Sequence, residues 1–388
     1  MLRKIFASGI ALSSFYLASA QDVAVVKTQT ANPQAANSQT AIAPATDILP
    51  AVVAEDPKPE EKKSNFVFSA WADVYYRYDF GKTAANNKTS FTNSHNSFEL
   101  GMASVKLEHA IGKVSMVADL GFGKRAEEFS YAEEKTRFAI KQLYLSYQLG
   151  KVKLTAGSWA THVGYELVDA PLNRNYSMSY MFSYGPFLHT GVKAETSIGK
   201  NGLMLGIANP TDLKSTTMDS KYIIAQYSTA TANDKVKFFL NFQSGKPSDD
   251  TKQTQFDAVL TGAVSDKFSV GLNGTVNTFK FREADGKFGS SDSWYGTAVY
   301  LNLDPKPWFG MTLRSEYFND KKQLNVFSSA VEGGNVFANT LSFNFKVDNL
   351  IFIPEFRYES ASQEIFTKAD GGAGKSSASV LLAAVYKF

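Results

Sequence analysis

The chain has 388 residues, of which 44% are apolar and 13% are aromatic, and its formal net charge is +3. It contains no cysteine, which excludes disulfide bonds, thiolate catalysis and metal sites built from cysteine. The charge falls to +1 when Arg3 and Lys4 are left out, so electrostatics gives no support to a nucleic-acid partner. A chain of this length suits two soluble domains or one large barrel.

Residues 1–20 have the pattern of a secretory signal peptide. Arg3 and Lys4 give a positive start, residues 5–17 are mostly apolar, and residues 18–20 are small and precede Gln21. The apolar run is shorter than the roughly 20 residues that a spanning helix needs, which disfavours a membrane anchor. The sequence therefore predicts export across the inner membrane, with cleavage after residue 20.

Residues 21–64 differ in composition from the rest of the chain. They are rich in Ala, Thr, Gln, Asn and Pro, and end in a charged stretch at 55–63. Neither a helical nor a strand period is sustained there, which is typical of a flexible segment. We expect a periplasmic linker over 21–64.

From Phe66 onward the sequence alternates between apolar and polar positions. This alternation runs over about 15 residues, whereas strands of soluble proteins usually have 3–10. A tilted strand that crosses a bilayer needs such a length, because only alternate residues face lipid. The sequence thus predicts an outer-membrane barrel over 65–388. The first apolar face consists of Phe66, Phe68, Ala70, Ala72, Val74, Tyr76, Tyr78 and Phe80.

The same period recurs along the chain and predicts an all-β, transmembrane, antiparallel up-and-down β-barrel of about 16 strands, within a range of 14–18. The predicted strands are 66–80, 97–109, 113–123, 137–149, 151–159, 187–198, 202–209, 220–229, 234–244, 254–265, 267–279, 292–303, 308–318, 336–347, 350–359 and 377–388.

Short and long connections alternate between these strands. Short turns include 110–112, 199–201 and 348–349, and each is followed or preceded by a longer connection. Bacterial barrels place short turns in the periplasm and longer loops outside, so the pattern predicts that orientation. The longer connections are 81–96, 124–136, 160–186, 280–291, 319–335 and 360–376, with 210–219 and 245–253 intermediate in length.

A set of charged residues of both signs lies in the phase opposite to the apolar face. A barrel of this size leaves an aqueous lumen, so these residues are predicted to point inward. Either they simply solvate the interior and pair across strands, or some of them form a transverse field that selects ions. The set consists of Asp73, Arg77, Lys106, Glu108, Lys113, Asp119, Lys141, Lys153, Lys193, Glu195, Lys237, Arg314, Glu316, Glu355, Arg357 and Glu359.

The longest connection, 160–186, mixes polar and apolar residues. A loop of this length that is partly apolar is rarely solvated coil. We expect it to fold inward and narrow the pore, although an external cover is the alternative. Its candidate constriction residues are His162, Tyr165, Glu166, Asp169, Asn173, Arg174 and Tyr176.

The segment around this loop resembles a known family. Residues 157–166 read GSWATHVGYE, and Asn173, 175–177 (NYS) and 185–193 (GPFLHTGVK) follow. This resembles the OmpL-like β-barrel porins of the outer membrane, with Trp159 where Phe is expected. The resemblance extends over 65–388 and implies an outer-membrane channel without a defined substrate.

The sequence therefore predicts an outer-membrane porin, in contact with membrane lipid, for passive diffusion of ions and small hydrophilic solutes. It predicts no cofactor and no metal site, because phosphate-binding glycine loops and acidic calcium loops are absent. It leaves the oligomeric state open, with a homotrimer among the options.

Two other functions remain as alternatives. A surface receptor or adhesin would use the external loops. A lipid-hydrolysing barrel enzyme would need a His–Ser pair facing the lipid, and none is expected from His95, His109, His162 or His189.

Overall fold

The structure, a computed structural model, describes residues 64–388. The predicted signal peptide and the predicted linker up to residue 63 lie outside the described residues. Ser64, assigned to the linker from sequence, is the first residue of the first strand.

Sixteen long strands form one closed antiparallel barrel. Each strand pairs with its neighbours in the chain, and the first strand closes the barrel by pairing with the last. The predicted fold class and strand number are confirmed. The strands are β1 Ser64–Asp79, β2 Ser97–Ile111, β3 Val114–Phe122, β4 Ile140–Leu149, β5 Val152–Ala160, β6 Leu188–Ile198, β7 Asn201–Ala208, β8 Tyr222–Ala230, β9 Val236–Ser248, β10 Thr251–Ala263, β11 Phe268–Arg282, β12 Phe288–Lys306, β13 Phe309–Asp320, β14 Gly334–Val347, β15 Leu350–Ala361 and β18 Ser376–Lys387.

The remaining elements lie in the connections. A small hairpin, β16 Phe366–Thr367 with β17 Ala373–Gly374, lies between β15 and β18. Two short helices, Lys124–Phe129 and Tyr180–Tyr184, and three 3-10 turns, Ala84–Asn86, Lys135–Ala139 and Ala170–Leu172, complete the described part. No helix in residues 64–388 has the length and apolar character needed to cross a membrane.

The alternation in sequence appears as two opposite faces. Apolar side chains point outward, as at Phe98 and Leu100, which are 88% and 75% exposed. Their polar neighbours point inward and are buried, as at Thr312, Arg314 and Glu316 of β13. This arrangement is stable in a bilayer because closure pairs all the strand backbones.

The two ends of the barrel differ. We call the end at which β1 begins the turn end and the opposite end the loop end. At the loop end, the longer connection predicted at 280–291 and the intermediate one predicted at 245–253 are both short in the structure. This is because β11 and β12 pair as far as Arg282 and Phe288, and β9 and β10 as far as Ser248 and Thr251. The strands here extend beyond the apolar alternation that marked them in the sequence.

A bulge in β2 sets the direction of its inward residues. Asp73 of β1 pairs with Met102, whereas Val74 pairs with Leu100, so Gly101 has no partner. The extra residue shifts by one position the alternation of inward and outward side chains along β2. Gly101 lies directly against the Asp73 carboxylate inside the barrel.

Candidate functional site: the loop inside the barrel

The connection between β5 and β6, residues 161–187, lies inside the barrel. We call it the inner loop. Most of its side chains are buried, and its polar atoms bond to residues on the inward faces of β1, β4, β10, β13 and β15. These strands lie on different sides of the barrel, so the loop crosses the lumen from wall to wall.

The first part of the inner loop is bound to the wall formed by β9, β10 and β12. His162 Nε2 donates to the carbonyl oxygen of Phe242 at 3.1 Å. The Gly164 amide donates to Asp257 at 2.9 Å, and the ring of Tyr165 stacks on Tyr300 with centroids 4.0 Å apart. Backbone and ring contacts together fix where the chain enters the lumen.

Asp169 attaches the loop to the opposite wall. It forms a buried ion pair with Lys141 of β4, whose ammonium lies 3.1 Å from Asp119 of β3. Lys141 also donates to Ser104 at 2.8 Å and lies over the ring of Trp71 at 4.5 Å. Two carboxylates and a hydroxyl therefore compensate the buried ammonium, as a charge without water requires.

Arg174 attaches the loop close to the turn end of the barrel. Its guanidinium forms two parallel hydrogen bonds of 2.8 Å to the carboxylate of Asp304, near the end of β12. Its Nε donates to Thr312 at 2.8 Å. The side chain of Asn173 folds back on the loop, because its amide oxygen accepts from the Leu167 amide and its nitrogen donates to the Leu167 carbonyl.

Tyr176 joins the loop to the strands at the barrel closure. Its hydroxyl donates to Asp73 of β1 at 2.5 Å, and its backbone amide donates to Glu355 of β15 at 2.9 Å. The guanidinium of Arg125 lies over its ring at 4.7 Å. The carboxylates of β1 and β15 are thus used to hold this turn of the loop.

A ladder of alternating charges holds the last part of the loop. Glu166 bonds to Arg314 at 2.5 Å, and Arg314 lies 3.3 Å from Glu316. Arg357 lies 3.5 Å from Glu316 and 2.9 Å from Glu359. Both arginines also donate to the backbone carbonyl of Met178, at 3.2 and 2.7 Å.

The charged residues predicted to face the lumen divide into two groups. Eight of them contact the inner loop directly or through an ion pair, and they are nearly inaccessible to solvent: Asp73, Asp119, Lys141, Arg314, Glu316, Glu355, Arg357 and Glu359. The prediction of a solvated interior does not describe these eight, because the loop covers them. A sequence cannot show which inward charges a distant segment will cover.

The second group lies away from the loop. Arg77 pairs with Asp79 at 2.9 Å and donates to Ser94 in the first connection. Lys106 with Glu108, and Lys193 with Glu195, form pairs of 3.3 and 3.2 Å along their own strands. Lys153 of β5, which is partly exposed, faces Glu195 across the strand pair.

Arg125 was not identified from the sequence. It lies on the short helix Lys124–Phe129, is fully buried, and donates to the carbonyls of Val168 and Tyr176 at 3.1 and 3.4 Å. Its neighbours in sequence are charged, so it resembled a solvated loop residue. The aromatic residues Phe91, Phe129, Phe182 and Phe187, which cluster beside it, were the available signal.

One expectation about histidine is wrong. Ser64 Oγ lies 2.8 Å from His109 Nε2, and their register places both on the outward face at the turn end. Among residues 64–388 no side chain bonds to His109 Nδ1, so the pair lacks an orienting third group. The same described range contains no group of three or more residues suited to a metal ion.

The fold is shared with outer-membrane proteins of known structure. The channel DcaP of Acinetobacter baumannii has a TM-score of 0.58 at 13% identity, over 84% of this chain and 97% of that chain. The anion-selective porin of Comamonas acidovorans has a TM-score of 0.55 at 11% identity, over 84% and 100%. The trimer form of OmpT of Vibrio cholerae has 0.54 at 9%, over 84% and 99%.

At these identities the likeness establishes the fold. No curated protein matches the chain in sequence. The family model described as "putative beta-barrel porin-2, OmpL-like" matches residues 65–388, which include the inner loop and all but the first residue of the barrel. The chain therefore belongs to the OmpL-like β-barrel porin family of the outer membrane.

Proposed function

We propose that the protein is a passive channel for ions and small hydrophilic solutes, and that the inner loop sets the width of its passage. The observation that carries this proposal is the attachment of one loop to walls on different sides of the lumen, from Lys141 of β4 to Arg314 of β13 and Glu355 of β15. A solute that crosses the barrel must pass beside this loop.

The arrangement of the buried charges supports selection of solutes by their size more than by the sign of their charge. Arg314, Glu316 and Arg357 are neutralised within the ladder, and Lys141 is neutralised by two carboxylates. Because carboxylates and cations lie side by side, most of their fields cancel, and one excess carboxylate in each group leaves a small negative remainder. We expect weak preference between cations and anions.

Conductance through a planar bilayer tests the proposal. Refolded protein should give stepwise conductance, and deletion of residues 165–180 should raise the step size, because it removes the part of the loop that crosses the lumen. A matched deletion of 368–371, which are exposed at the tip of the β16–β17 hairpin, should leave it unchanged. Absence of steps from the full chain contradicts the channel, and unchanged steps after the 165–180 deletion contradict the role of the loop.

The rest of the chain fits the same proposal. We also propose that residues 1–20 direct export, that the linker predicted from the sequence lies in the periplasm, and that the loop end faces the outside of the cell. The trimer form of the Vibrio neighbour is a precedent for a homotrimer. Native mass spectrometry of the protein in detergent distinguishes a trimer from a monomer.

Lipid hydrolysis is the second candidate, because Ser64 and His109 lie within hydrogen-bond distance. Without a group to orient the imidazole, the pair has little means of activating the hydroxyl. Purified protein should not hydrolyse a fluorogenic lipid ester. Hydrolysis that Ser64→Ala abolishes is the result that favours the enzyme.

A further inference from the structure

A shallow groove on the outward face at the loop end carries several cations. It has a volume of about 420 Å³ and lies on β9–β12; Lys246, Lys252, Lys280 and Phe288 are among its lining residues. We call it the cationic groove. It is separate from the inner loop, because the groove lies on the outer surface of the barrel wall and the inner loop lies in the lumen.

The outward side chains of β9–β12 change from apolar to hydroxyl-bearing along the strands toward this groove. Phe242, Phe256, Val276 and Tyr295 are paired across β9–β12 and form an apolar row. Two residues nearer the loop end, the same four strands place a row of hydroxyls, at Ser244, Thr254, Thr278 and Ser293.

Two residues further still, Lys252 and Lys280 face each other across β10 and β11. Outward rows two residues apart are separated by roughly 7 Å along the strand. The order apolar, hydroxyl, cation therefore matches the order of acyl chain, polar linkage and charged head group in a lipid leaflet.

The cations are gathered around one aromatic ring. Lys252 Nζ lies 4.3 Å from the centroid of Phe288, the guanidinium of Arg282 lies 4.7 Å from it, and Lys246 Nζ lies 6.0 Å from it. Arg282 has a carboxylate partner in Asp250 at 3.0 Å. Within residues 64–388, no carboxylate lies within ion-pair distance of Lys246, Lys252 or Lys280.

Positive charges held together without acidic partners repel each other, so the arrangement is favourable when an anion occupies it. The hydroxyl and apolar rows below the lysines indicate what that anion is attached to. A free phosphate would use only the lysines, whereas a phospholipid or glycolipid would use all three rows.

We propose that the cationic groove binds the phosphate groups of a lipid with a net negative head group, in the leaflet at the loop end. This inference rests on the proposed function only in that the barrel must lie in a membrane. The lysines contact the phosphates, the hydroxyl row contacts the polar linkage region, and the apolar row contacts the acyl chains.

The test uses the full chain in detergent and native mass spectrometry, with bis-phosphorylated lipid A and phosphatidylcholine as probes. Lipid A should be retained in preference to phosphatidylcholine. The triple variant K246Q/K252Q/K280Q should bind lipid A about 100-fold more weakly, since each lysine near an anionic surface is worth roughly fivefold. The matched control K151Q/K235Q/K267Q removes three lysines at the turn end and should bind like the wild type.

Three results overturn the proposal: equal binding of both probes, undiminished binding by K246Q/K252Q/K280Q, or complete displacement of lipid A by inorganic phosphate, which would identify a site for a free anion. Conductance of the same variants in neutral phosphatidylcholine bilayers is measured in parallel. If K246Q/K252Q/K280Q loses lipid A binding and keeps normal conductance, the proposed lipid site is supported. If the protein binds lipid A selectively but gives no conductance, only the channel proposal is contradicted.

Discussion

Arg174 of the inner loop and Asp304 of β12 form a two-pronged ion pair close to the turn end, and each side chain is about one-third exposed. Because water reaches both groups, their contribution to stability is small, on the order of 0.2–1 kcal/mol. Their importance lies in the position of the loop.

Arg174→Ala should raise single-channel conductance by less than deletion of 165–180 does. The substitution releases the part of the inner loop near the turn end and leaves the other attachments of the loop in place. Lys200→Ala is the control. Lys200 forms an exposed ion pair with Asp234, 2.6 Å in length, and this pair is remote from the inner loop. Lys200→Ala should leave conductance unchanged. If Arg174→Ala also leaves conductance unchanged, Arg174 does not limit the passage.

The pair of Glu166 and Arg314 differs in being fully buried. Arg314→Met leaves Glu166 without its arginine inside the barrel and leaves Glu316 with Arg357 as its remaining partner. Removal of one partner of a buried ion pair costs about 3–5 kcal/mol. Urea unfolding of the barrel, followed by tryptophan fluorescence, should show a destabilisation of this size.

The double variant Arg314→Met with Glu166→Gln completes a mutant cycle. It should lose less free energy of unfolding than the two single variants together, because no charge at position 166 then remains unpaired. Additive losses are the outcome that contradicts a direct coupling between the loop and β13.

Gly101 has a steric role at the bulge of β2. A Cβ atom there would lie 1.8 Å from Asp73 Oδ2 and 2.6 Å from the hydroxyl of Tyr176, so Gly101→Ala must displace the hydrogen bond that holds the loop to β1. We expect a loss of about 1–3 kcal/mol in the free energy of unfolding, as for other overpacked sites.

Gly262→Ala is the matched control for this substitution. A Cβ atom at Gly262 of β10 meets no atom within 4 Å, so the free energy of unfolding should change by less than about 0.5 kcal/mol. Equal stability of the two variants in urea is the result that rejects close packing at Gly101.

The barrel was predictable because its signal is local. Alternation in each strand depends only on which side faces lipid, so strands such as β13 were located to within two residues of their observed ends. The end of β11 was missed because the apolar phase reverses there: Phe279 and Phe281 occupy the phase of the inward residues, and Lys280 occupies the phase of the outward ones.

The interior was less predictable because its contacts join residues far apart in sequence. Glu166 meets Arg314 across 148 positions, and Tyr176 meets Asp73 across 103. Residue type suggested that each of these faces inward, but an inward charge has the same sequence pattern whether water or a loop covers it. Arg125 was missed for the same reason.

Asp212 ties the connection 209–221 to the end of the inner loop. Its carboxylate accepts the backbone amides of Phe187 at 2.6 Å and Leu188 at 2.9 Å, and the hydroxyl of Tyr131 at 3.1 Å. Burial outweighs these hydrogen bonds and the nearby Lys214 and raises the pKa of Asp212 from its ordinary value of 3.8 to about 7.

This shift predicts a pH dependence with a defined sign. Between pH 3.8 and about 7 the folded protein keeps a proton on Asp212 that the unfolded chain has lost. The contribution of this residue to stability is therefore complete below pH 3.8 and decreases as the pH rises toward 7, by at most about 1.4 kcal/mol per pH unit. Above pH 7 it should no longer change.

Asp212→Asn isolates this contribution, because the amide keeps an acceptor for the two backbone amides and does not titrate. The free energy of unfolding of the wild type should fall relative to that of Asp212→Asn as the pH rises toward 7, and the two pH profiles should be parallel above it. Urea titrations at a series of pH values measure both profiles. Parallel profiles across the whole range show that Asp212 ionises at its ordinary pKa, in which case the carboxylate between Phe187, Leu188 and Tyr131 is accessible to water.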